Sequence, residues 1–407
     1  MTHLHIVGAG LAGLACAVEA RSLGARVTLY EASARAGGRC RSVDDPRLQR
    51  RIDNGNHLLL GGNDHALAYL ERIGGRDEMR EMVPAAYPFL DLRDGRRWTL
   101  RSGLTLGRGR HGSGIGWRDA LALLRLLLPR PDQPVARFLP KASLETLWRP
   151  LVTAVLNAPP EEASAGLIRA VLWRLLPGGE TALRPILARR GLSDAFVDPA
   201  VRWLASHGAA VRFGTRVDAL PRRGNTVASV NFGDDAGLLG WDDAVVLALP
   251  PDAAARLAPE HVPTFEFRPI LNAHFATPPE VTLPDNLPFL GLTGGTAEWL
   301  FHRPGLVSAT VSAASRWIDR PAAEIVDALW RDVSAACGTT VTRPPCRVIK
   351  ERRATILQDV RGAARRPQPR TSLSNLFLAG DWTATGLPAT IEGAVLSGMR
   401  AARLALP

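Results

Sequence analysis

The alternation of apolar and polar positions at the start of the chain predicts a β-α-β unit. Residues 3 to 7, "HLHIV", are typical of a buried strand, and the next stretch, "LAGLACAVEARSLG", carries apolar residues at helical spacing. The pattern returns to that of a strand in "RVTLYE". The whole unit covers about thirty residues, which is the usual size of this motif.

The pattern changes between residue 74 and about residue 200. A short hairpin is predicted around Asp94 and Gly95, followed by helical segments rich in Leu, Arg, Trp and Pro. Strand patterns resume in "AVRFGTRVDAL", "TVASVNF" and "DAVVLALP", spaced as a meander. Residues 262 to 350 carry further strand patterns and one amphipathic helix, and the chain closes with a strand, a polar loop and a helix from about Ile391.

These patterns predict an α/β fold with a Rossmann-like dinucleotide-binding domain, a mixed-sheet substrate domain and a helical cap. The dinucleotide-binding domain is expected in three segments, residues 1–75, 201–260 and 351–407. Residues 76–200 would form the helical cap and substrate domain, and residues 261–350 the sheet domain that binds the substrate.

The composition favours a globular protein and argues against several kinds of partner. Of the 407 residues, 46% are hydrophobic and 22% charged, and the formal net charge is +11. No run of five or more like charges occurs, so nucleic-acid binding is not expected. The cysteines show no C-x-x-C spacing, which predicts reduced thiols and no metal site; they are Cys16, Cys40, Cys337 and Cys346.

The sequence predicts a cytoplasmic protein. The first residues run directly into a strand pattern and leave no room for a signal peptide. The most apolar helical run, residues 117–130, is interrupted by Arg125 and is too short to span a bilayer. This segment is expected either to dock at the inner face of the cytoplasmic membrane or to pack as a cap helix on its own domain.

Three glycines lie between the first strand and the first helix. Gly8 suits a tight turn, Gly10 admits a pyrophosphate, and Gly13 lets the helix approach the strand closely. Glu31 follows the second strand, where a carboxylate can accept hydrogen bonds from the hydroxyls of an adenosine ribose. The complete unit therefore predicts a dinucleotide site.

A second glycine motif follows at once in "EASARAGGRCRS". Gly37 and Gly38 can expose backbone N–H groups, and the guanidinium of Arg39 can face a diphosphate. The alternative is an arginine in a solvated loop.

These motifs resemble those of the flavin-dependent amine oxidase and phytoene desaturase superfamily, whose members join "GAGLAGL", a Glu and "GGR" as this chain does. The resemblance implies FAD rather than NAD. No cysteine follows Cys346, so the FAD is expected to be bound without a covalent link.

The C-terminal stretches "LFLAGDW" and "GAVLSG" extend the resemblance. It implies that Asp381 hydrogen-bonds the ribityl chain, that the Ile391 N–H faces the flavin pyrimidine edge, and that the Val217 backbone contacts the adenine. A helix N-terminus at Ile391 would stabilise negative charge on a reduced flavin. The residues expected to bind FAD are Gly8, Gly10, Leu11, Ala12, Gly13, Glu31, Ala32, Gly38, Arg39, Gly55, Asn56, His57, Val217, Gly380, Asp381, Thr390 and Ile391.

Within the superfamily, "DNGNHLLLGGN", "ERRATI" and "GDWTATGLPATIEGAVLSG" look most like the bacterial hydroxysqualene dehydroxylases. This resemblance implies that a C30 isoprenoid, hydroxysqualene, loses its hydroxyl and gains hydride from reduced FAD, in squalene and hopanoid biosynthesis. An external reductant would reload the flavin. In this layout, residues 53 to 62 pass the flavin, with His57 beside the ring and the leucines lining an apolar chamber.

His57 is the first candidate for the proton donor, because hydroxide leaves poorly unless it is protonated. The alternative is that His57 hydrogen-bonds the flavin or the backbone. Glu392, at the start of a helix, is expected to be either a proton donor or a carboxylate that caps the helix. Asp53 is expected to orient the loop rather than to react. Large aromatic residues are expected either to line the site or to fill the core; they are Trp299, Phe301 and Trp382.

Two other functions fit the same fold. One is a desaturase that takes hydride from a squalene- or carotenoid-type isoprenoid, which is the opposite direction of the same flavin chemistry. The other is a non-catalytic prenyl-binding escort protein, which the intact dinucleotide motifs disfavour.

Overall fold

The computed structural model describes residues 2–101 and 116–406. Its strands are β1 His3–Val7, β2 Arg26–Tyr30, β3 Ser42–Asp45, β4 Arg50–Asp53, β5 Leu59–Leu60, β6 Met79–Glu81, β7 Ala86–Asp91, β8 Arg97–Arg101, β9 Pro185–Ala188, β10 Ala210–Arg212, β11 Arg222–Arg223, β12 Thr226–Val227, β13 Ser229–Phe232, β14 Asp235–Leu238, β15 Ala244–Leu247, β16 Phe267–Phe275, β17 Phe289–Thr293, β18 Trp299–Arg303, β19 Leu306–Val311, β20 Cys346–Ile356 and β21 Leu376–Leu378. Its α-helices are α1 Leu11–Ser22, α2 Asp64–Ile73, α3 Trp117–Leu127, α4 Lys141–Ser143, α5 Arg149–Leu156, α6 Ala165–Leu175, α7 Gly179–Ala182, α8 Asp198–Ser206, α9 Pro251–Leu257, α10 Ala322–Cys337, α11 Val360–Ala364 and α12 Ile391–Ala405.

A five-stranded sheet in the order β10-β2-β1-β15-β21 forms the centre of the dinucleotide-binding part. Its four strand pairs are all parallel. Helices α1 and α12 pack so closely that a Cβ atom on Gly398 would lie only 2.1 Å from the Ala12 carbonyl oxygen. This position therefore requires glycine. The Rossmann-like domain predicted from the sequence is confirmed.

A second, seven-stranded mixed sheet has the order β20-β16-β19-β18-β17-β7-β8. One face packs on the amphipathic helix α10 through a shared apolar core that includes Leu271, Phe275 and Leu329. Strands β7 and β8 form the hairpin predicted around Asp94, and β17 pairs with β7 in parallel. Strands β7 and β8 of the segment 76–200 therefore join this sheet, while the division into domains stays a prediction.

The strand patterns between residues 210 and 247 do not form the predicted meander. Strand β10 pairs in parallel with β2, and β15 pairs in parallel with β1, so both belong to the five-stranded sheet. Only β11 with β12 and β13 with β14 form antiparallel hairpins. The meander prediction is wrong because a strand pattern does not reveal which distant strand is its partner.

The cap is a helical layer formed mainly by α3, α5 and α6. Its core contains Leu126, Trp148 and Ile168. The buried carboxylate of Asp119 accepts hydrogen bonds from the Ser143 hydroxyl at 2.5 Å and the Trp148 indole N–H at 2.8 Å, which ties α3 to the neighbouring helices. No helix in the described ranges is both long and apolar enough to cross a membrane.

Candidate functional site

The glycine turn between β1 and α1 leaves room for an anion. Gly8 has a φ of +105°, and a Cβ atom on Gly13 would lie 1.8 Å from the Gly8 carbonyl oxygen, so both positions need glycine. A Cβ atom on Gly10 would meet nothing within 4 Å. The open space beside Gly10 thus lies at the positive end of α1, which fits the pyrophosphate of a dinucleotide.

The carboxylate of Glu31 is fixed beside this turn. It accepts hydrogen bonds from the Ala9 N–H at 2.8 Å, the Ser33 N–H at 2.9 Å and the Ser33 hydroxyl at 2.7 Å. An ionised carboxylate offers about four lone pairs, so capacity remains for a ribose hydroxyl. The Glu31 carbonyl accepts the Thr215 N–H at 2.9 Å, and Val217 lies buried two residues further on.

Two residues from opposite ends of the chain meet next to the glycine motif at Gly37 and Gly38. The guanidinium of Arg39 donates to the Asp381 carboxylate at 2.7 Å and to the Ala354 carbonyl at 2.6 Å. Asp381 is only 6% exposed. The ion pair holds the motif against the loop that precedes α12, and a role of either residue in FAD binding stays a prediction.

The N-terminus of α12 is built as the sequence predicts, with Thr390 accepting the Gly393 N–H at 3.2 Å. The buried carboxylate of Glu392, however, caps a different helix. It accepts hydrogen bonds from the Ala66 N–H at 2.9 Å, the His65 ring at 2.7 Å and Arg174 at 3.0 Å. Glu392 therefore joins α12 to the start of α2 and to cap helix α6.

The loop before α12 is held by two buried polar residues that sequence patterns do not single out. The Gln358 amide oxygen accepts the Ala389 N–H at 2.6 Å and Arg366 at 3.1 Å, and Arg366 donates to the Leu387 carbonyl at 2.5 Å. Burial, opposed by Asp381, lowers the pKa of Arg366 to about 10, so the guanidinium stays charged at neutral pH. These bonds fix the approach of the chain to Ile391.

The loop at residues 53–58 lies against the inner face of the seven-stranded sheet, the face opposite α10. Buried Asp53 accepts hydrogen bonds from the Ser42 hydroxyl at 2.5 Å and the Leu192 N–H at 2.9 Å, so it orients the loop. The Asn56 amide donates to the Thr310 hydroxyl at 2.9 Å and to Asn272 at 3.3 Å. Asn56 is thus anchored to the sheet.

His57 lies in the same loop and is exposed. A Cβ atom on Gly55 would lie 3.7 Å from His57 Nε2 and 3.4 Å from Asn272 Nδ2, so these three residues are neighbours. Although part of the His57 surface is exposed, the surrounding protein reduces the hydration of the ring and lowers the pKa of His57. The carboxylate of Asp53 opposes this shift, and the guanidinium of Arg39 adds to it. The imidazole is therefore mostly neutral at pH 7.

The inner face divides into a polar half and an aromatic half. The polar half, which contacts the loop at residues 53–57, consists of Asn272, His274, Ser308 and Thr310. The aromatic half consists of Phe89, Phe289, Trp299 and Phe301, with Leu58, Leu151 and Leu187 packed against it.

The aromatic half is closely packed. The ring centroids of Trp299 lie 5.4 Å from that of Phe89 and 6.1 Å from that of Phe289. Phe301 and Leu58 remain only partly buried. Trp299 therefore fills the core, and its role in lining a substrate site stays a prediction.

Two further residues lie away from this face. Trp382 is 1% exposed and donates its indole N–H to the Leu249 carbonyl at 2.9 Å, so it fills the core of the dinucleotide-binding part. Lys350 donates to the Arg320 carbonyl at 2.6 Å and pairs with Leu271, which belongs to the α10 side of the sheet.

Asn272 and Thr310 are not singled out in the sequence analysis. Both are polar residues on otherwise apolar strands, and His274 repeats the polarity two residues after Asn272. Since residues i and i+2 of a strand share a face, this alternation is the signal that marks a polar patch.

The chain matches the model of the family "Flavin containing amine oxidoreductase" over residues 11–406. It is 42% identical over 416 residues to hydroxysqualene dehydroxylase of Sinorhizobium fredii, covering 99% of this chain and 98% of the relative. It is 41% identical over 419 residues to hydroxysqualene dehydroxylase of Rhodopseudomonas palustris, covering 99% and 98%.

Solved structures agree on the fold. An oxidoreductase from Methanosarcina mazei superposes with a TM-score of 0.74 at 15% identity, covering 98% of this chain and 99% of the other. Cyclohexylamine oxidase from Brevibacterium oxydans superposes with a TM-score of 0.69 at 18% identity, covering 99% and 98%.

Proposed function

Because the chain belongs to the flavin-containing amine oxidoreductase family, together with the hydroxysqualene dehydroxylases, we propose that it replaces the allylic hydroxyl of hydroxysqualene with hydrogen, giving squalene and water. It is an FAD-dependent oxidoreductase of squalene-type substrates. We place the reaction in squalene and hopanoid biosynthesis, with an external reductant that reloads the flavin.

The observation that carries this proposal is the division of the inner face of the seven-stranded sheet. The loop that carries His57 borders an aromatic and aliphatic cluster formed around Phe289, Trp299 and Phe301. A hydrocarbon chain that contacts this cluster gains about 25 cal/mol for each Å² it buries. The surface therefore favours an isoprenoid substrate.

The chain's residues fit non-covalent FAD. Gly10 and the N-terminus of α1 offer the space for the pyrophosphate, and Glu31 offers acceptors for the ribose. Burial raises the pKa of Cys16 and Cys40 well above the ordinary range, so their thiols stay protonated at neutral pH. When bound, reduced FAD supplies the hydride.

The chain's own residues would handle the proton and the water. A hydroxyl leaves readily only as water, so a donor must protonate it, and the allylic cation left behind must be kept from solvent. The aromatic half excludes water from the hydrocarbon. His57, with its lowered pKa, is a stronger acid than ordinary imidazolium but is protonated in a smaller fraction of molecules at pH 7.

The reaction is tested by mixing the chemically reduced, FAD-loaded chain with hydroxysqualene in the absence of oxygen. Reoxidation of the flavin with one squalene formed per flavin is expected, and squalene added to the same reduced enzyme should cause no reoxidation. Flavin reduction when the oxidised enzyme meets squalene, with no turnover of hydroxysqualene, would establish the desaturase instead.

The role of His57 is tested with His57→Gln. We expect kcat to fall about 100-fold or more, because general acid catalysis contributes at least that factor. Wild-type activity should rise as pH falls through the lowered pKa, and the variant should lose this dependence while retaining its FAD. An unchanged pH profile would move the acid to another group.

We also propose that the cap binds an anionic membrane surface. One face of α3 is buried through Ala122 and Leu126, while large apolar side chains on the adjoining surface are 38% to 64% exposed; they are Trp117, Leu121, Leu124, Leu128, Trp173 and Leu176. Exposed arginines accompany them, namely Arg118, Arg125 and Arg130. Apolar residues that insert and cations that contact phosphate are the features of an interfacial helix.

Flotation with vesicles of phosphatidylglycerol and phosphatidylcholine tests this surface. The wild-type chain should float with mixed vesicles, and less so in high salt. The double variant Trp117→Ser, Leu124→Ser should remain in the soluble fraction. Trp241→Ser is the matched control, because Trp241 is 93% exposed in another part of the chain. Equal flotation of all three proteins would contradict the proposal.

A further inference from the structure

Two histidines and an aspartate meet at the end of the five-stranded sheet opposite the glycine turn. His3 and His5 are two residues apart on β1 and therefore share one face of the sheet. Asp243 directly precedes β15, whose residue Ala244 pairs with Leu4. One ring nitrogen of each histidine and one oxygen of Asp243 all lie within 4.8 Å of one another.

One ring nitrogen of His5 is buried without a hydrogen bond. His5 is 3% exposed, and its Nδ1 lies 2.9 Å from the Tyr30 hydroxyl. Its Nε2 is buried and has no hydrogen-bond partner among the described residues. A buried polar atom without a partner costs about 1–3 kcal/mol of stability. A bound cation would supply the missing partner.

The other two residues of the cluster are oriented by neighbouring groups. Nε2 of His3 lies 2.9 Å from the Thr28 hydroxyl. The Asp243 carboxylate accepts hydrogen bonds from the backbone N–H of His3 at 3.2 Å and from the backbone N–H of Gly240 at 2.8 Å. Metal-binding imidazoles and carboxylates typically have such outer hydrogen bonds, which fix the ring and hold the ligand in place.

The geometry points to a binding site for a divalent ion of the zinc type at His3, His5 and Asp243. Two imidazoles and a carboxylate form a common set of zinc ligands, and water can complete a tetrahedron because the site opens into a cavity of about 590 Å³. This site goes beyond the proposed function and does not depend on it.

The surroundings also predict selectivity. The positive charges of Arg26 and Arg212 offset the negative charges of Asp235 and Asp243 around this cavity, so an approaching cation gains little long-range attraction and must rely on coordination bonds. Imidazole binds Zn²⁺ much better than Mg²⁺ or Ca²⁺, which prefer oxygen ligands. The bound ion would link the start of β1 to the start of β15.

The test is equilibrium dialysis of the FAD-loaded full chain against ZnCl2, with metal and protein measured in the same sample. We expect one Zn²⁺ per chain, unaffected by excess Mg²⁺ or Ca²⁺, and X-ray absorption at the zinc edge should show two imidazole ligands. His3→Gln and Asp243→Asn should each weaken binding at least tenfold. His207→Gln is the control, because that exposed histidine lies outside the cluster.

Flavin content and thermal unfolding of the variants show whether they remain folded. His3 is only partly buried, so His3→Gln should retain both properties. Absence of zinc binding by the wild-type chain at about 100 µM metal, or equal binding by His3→Gln and Asp243→Asn, would overturn the assignment. A wild-type chain that binds zinc but does not turn over hydroxysqualene would contradict the proposed function and leave the zinc site standing.

Discussion

The polar and aromatic halves of the inner sheet face use the same strands for opposite purposes. In the polar half, Asn272 and Thr310 bond to each other and to Asn56 of the loop. In the aromatic half, Trp299 pairs in register with Thr310, yet its ring packs among Phe89 and Phe289. The two halves therefore meet between the neighbouring strands β18 and β19. Hydrogen-bonding side chains and apolar side chains thus lie next to each other on one face of the sheet.

The largest effect is expected from Trp299→Ala, which breaks the aromatic half. Removing a buried Trp side chain should cost about 3–5 kcal/mol of unfolding free energy and raise KM for the isoprenoid. Trp299→Phe is the matched control, because the indole N–H is buried without a partner among the described residues and its loss leaves no acceptor unpaired. Denaturant unfolding and steady-state kinetics would measure both. Equal losses in the two variants would contradict a packing role.

Asn272→Leu should break the polar half. The substitution keeps the volume but leaves Asn56 and Thr310 each with one hydrogen bond fewer, for a cost of about 2–3 kcal/mol. FAD content should fall more than isoprenoid affinity, which is the reverse of the Trp299 result. The FAD content is measured from the flavin absorbance and the isoprenoid affinity from KM. A change in KM with unchanged FAD content would contradict this prediction and assign Asn272 to the aromatic half.

Gly291→Ala probes how tightly the aromatic half sits on its strands. The added Cβ would lie 2.4 Å from the Phe89 ring, which must shift, and overpacking of this kind costs about 1–3 kcal/mol. A combined Gly291→Ala, Phe89→Leu variant should recover part of the loss, because the smaller side chain relieves the contact. Additive losses in the double variant would contradict this account.

The smallest effect is expected from Glu298→Gln, on the opposite side of the sheet from Trp299. Burial, opposed by the Ser312 N–H, raises the pKa of Glu298 from 4.5 to about 7. The folded chain thus holds this proton more tightly than the unfolded chain does, and wild-type stability declines as pH rises from 4.5 to about 7.

The glutamine variant should therefore be more stable than wild type above pH 7, and the difference should shrink toward pH 4.5. Both KM and flavin content should stay unchanged. Denaturant unfolding across this pH range would measure the difference, and a stability gain independent of pH would contradict the assignment of the pKa shift.

The features that could be predicted from the sequence are local ones. The turn at Gly8, the carboxylate of Glu31 and the helix from Ile391 each lie within a single β-α or loop-α segment, where spacing specifies the structure. The pairing of β10 with β2 and of β7 with β17 joins distant segments, and strand periodicity carries no information on the partner. Arg39 and Asp381 are 342 positions apart in the sequence, so local patterns could not predict their contact.

The site was less predictable than the fold because its polar groups are shared between elements. In the sequence, Asp53 and Glu392 are each a carboxylate near a loop or a helix start. In the structure, each accepts hydrogen bonds from a distant segment of the chain. His57 reads as a group that titrates near neutral pH, and only the surrounding protein shows that its pKa is lowered.

The bond between Glu392 and Arg174 has a mechanical consequence. On α6, Trp173 points outward and is 57% exposed, while the adjacent Arg174 reaches inward to the first turn of α12. A force that tilts α6 must either move that turn or break the ion pair. Arg174 is therefore the contact through which a displacement of α6 would reach the first turn of α12.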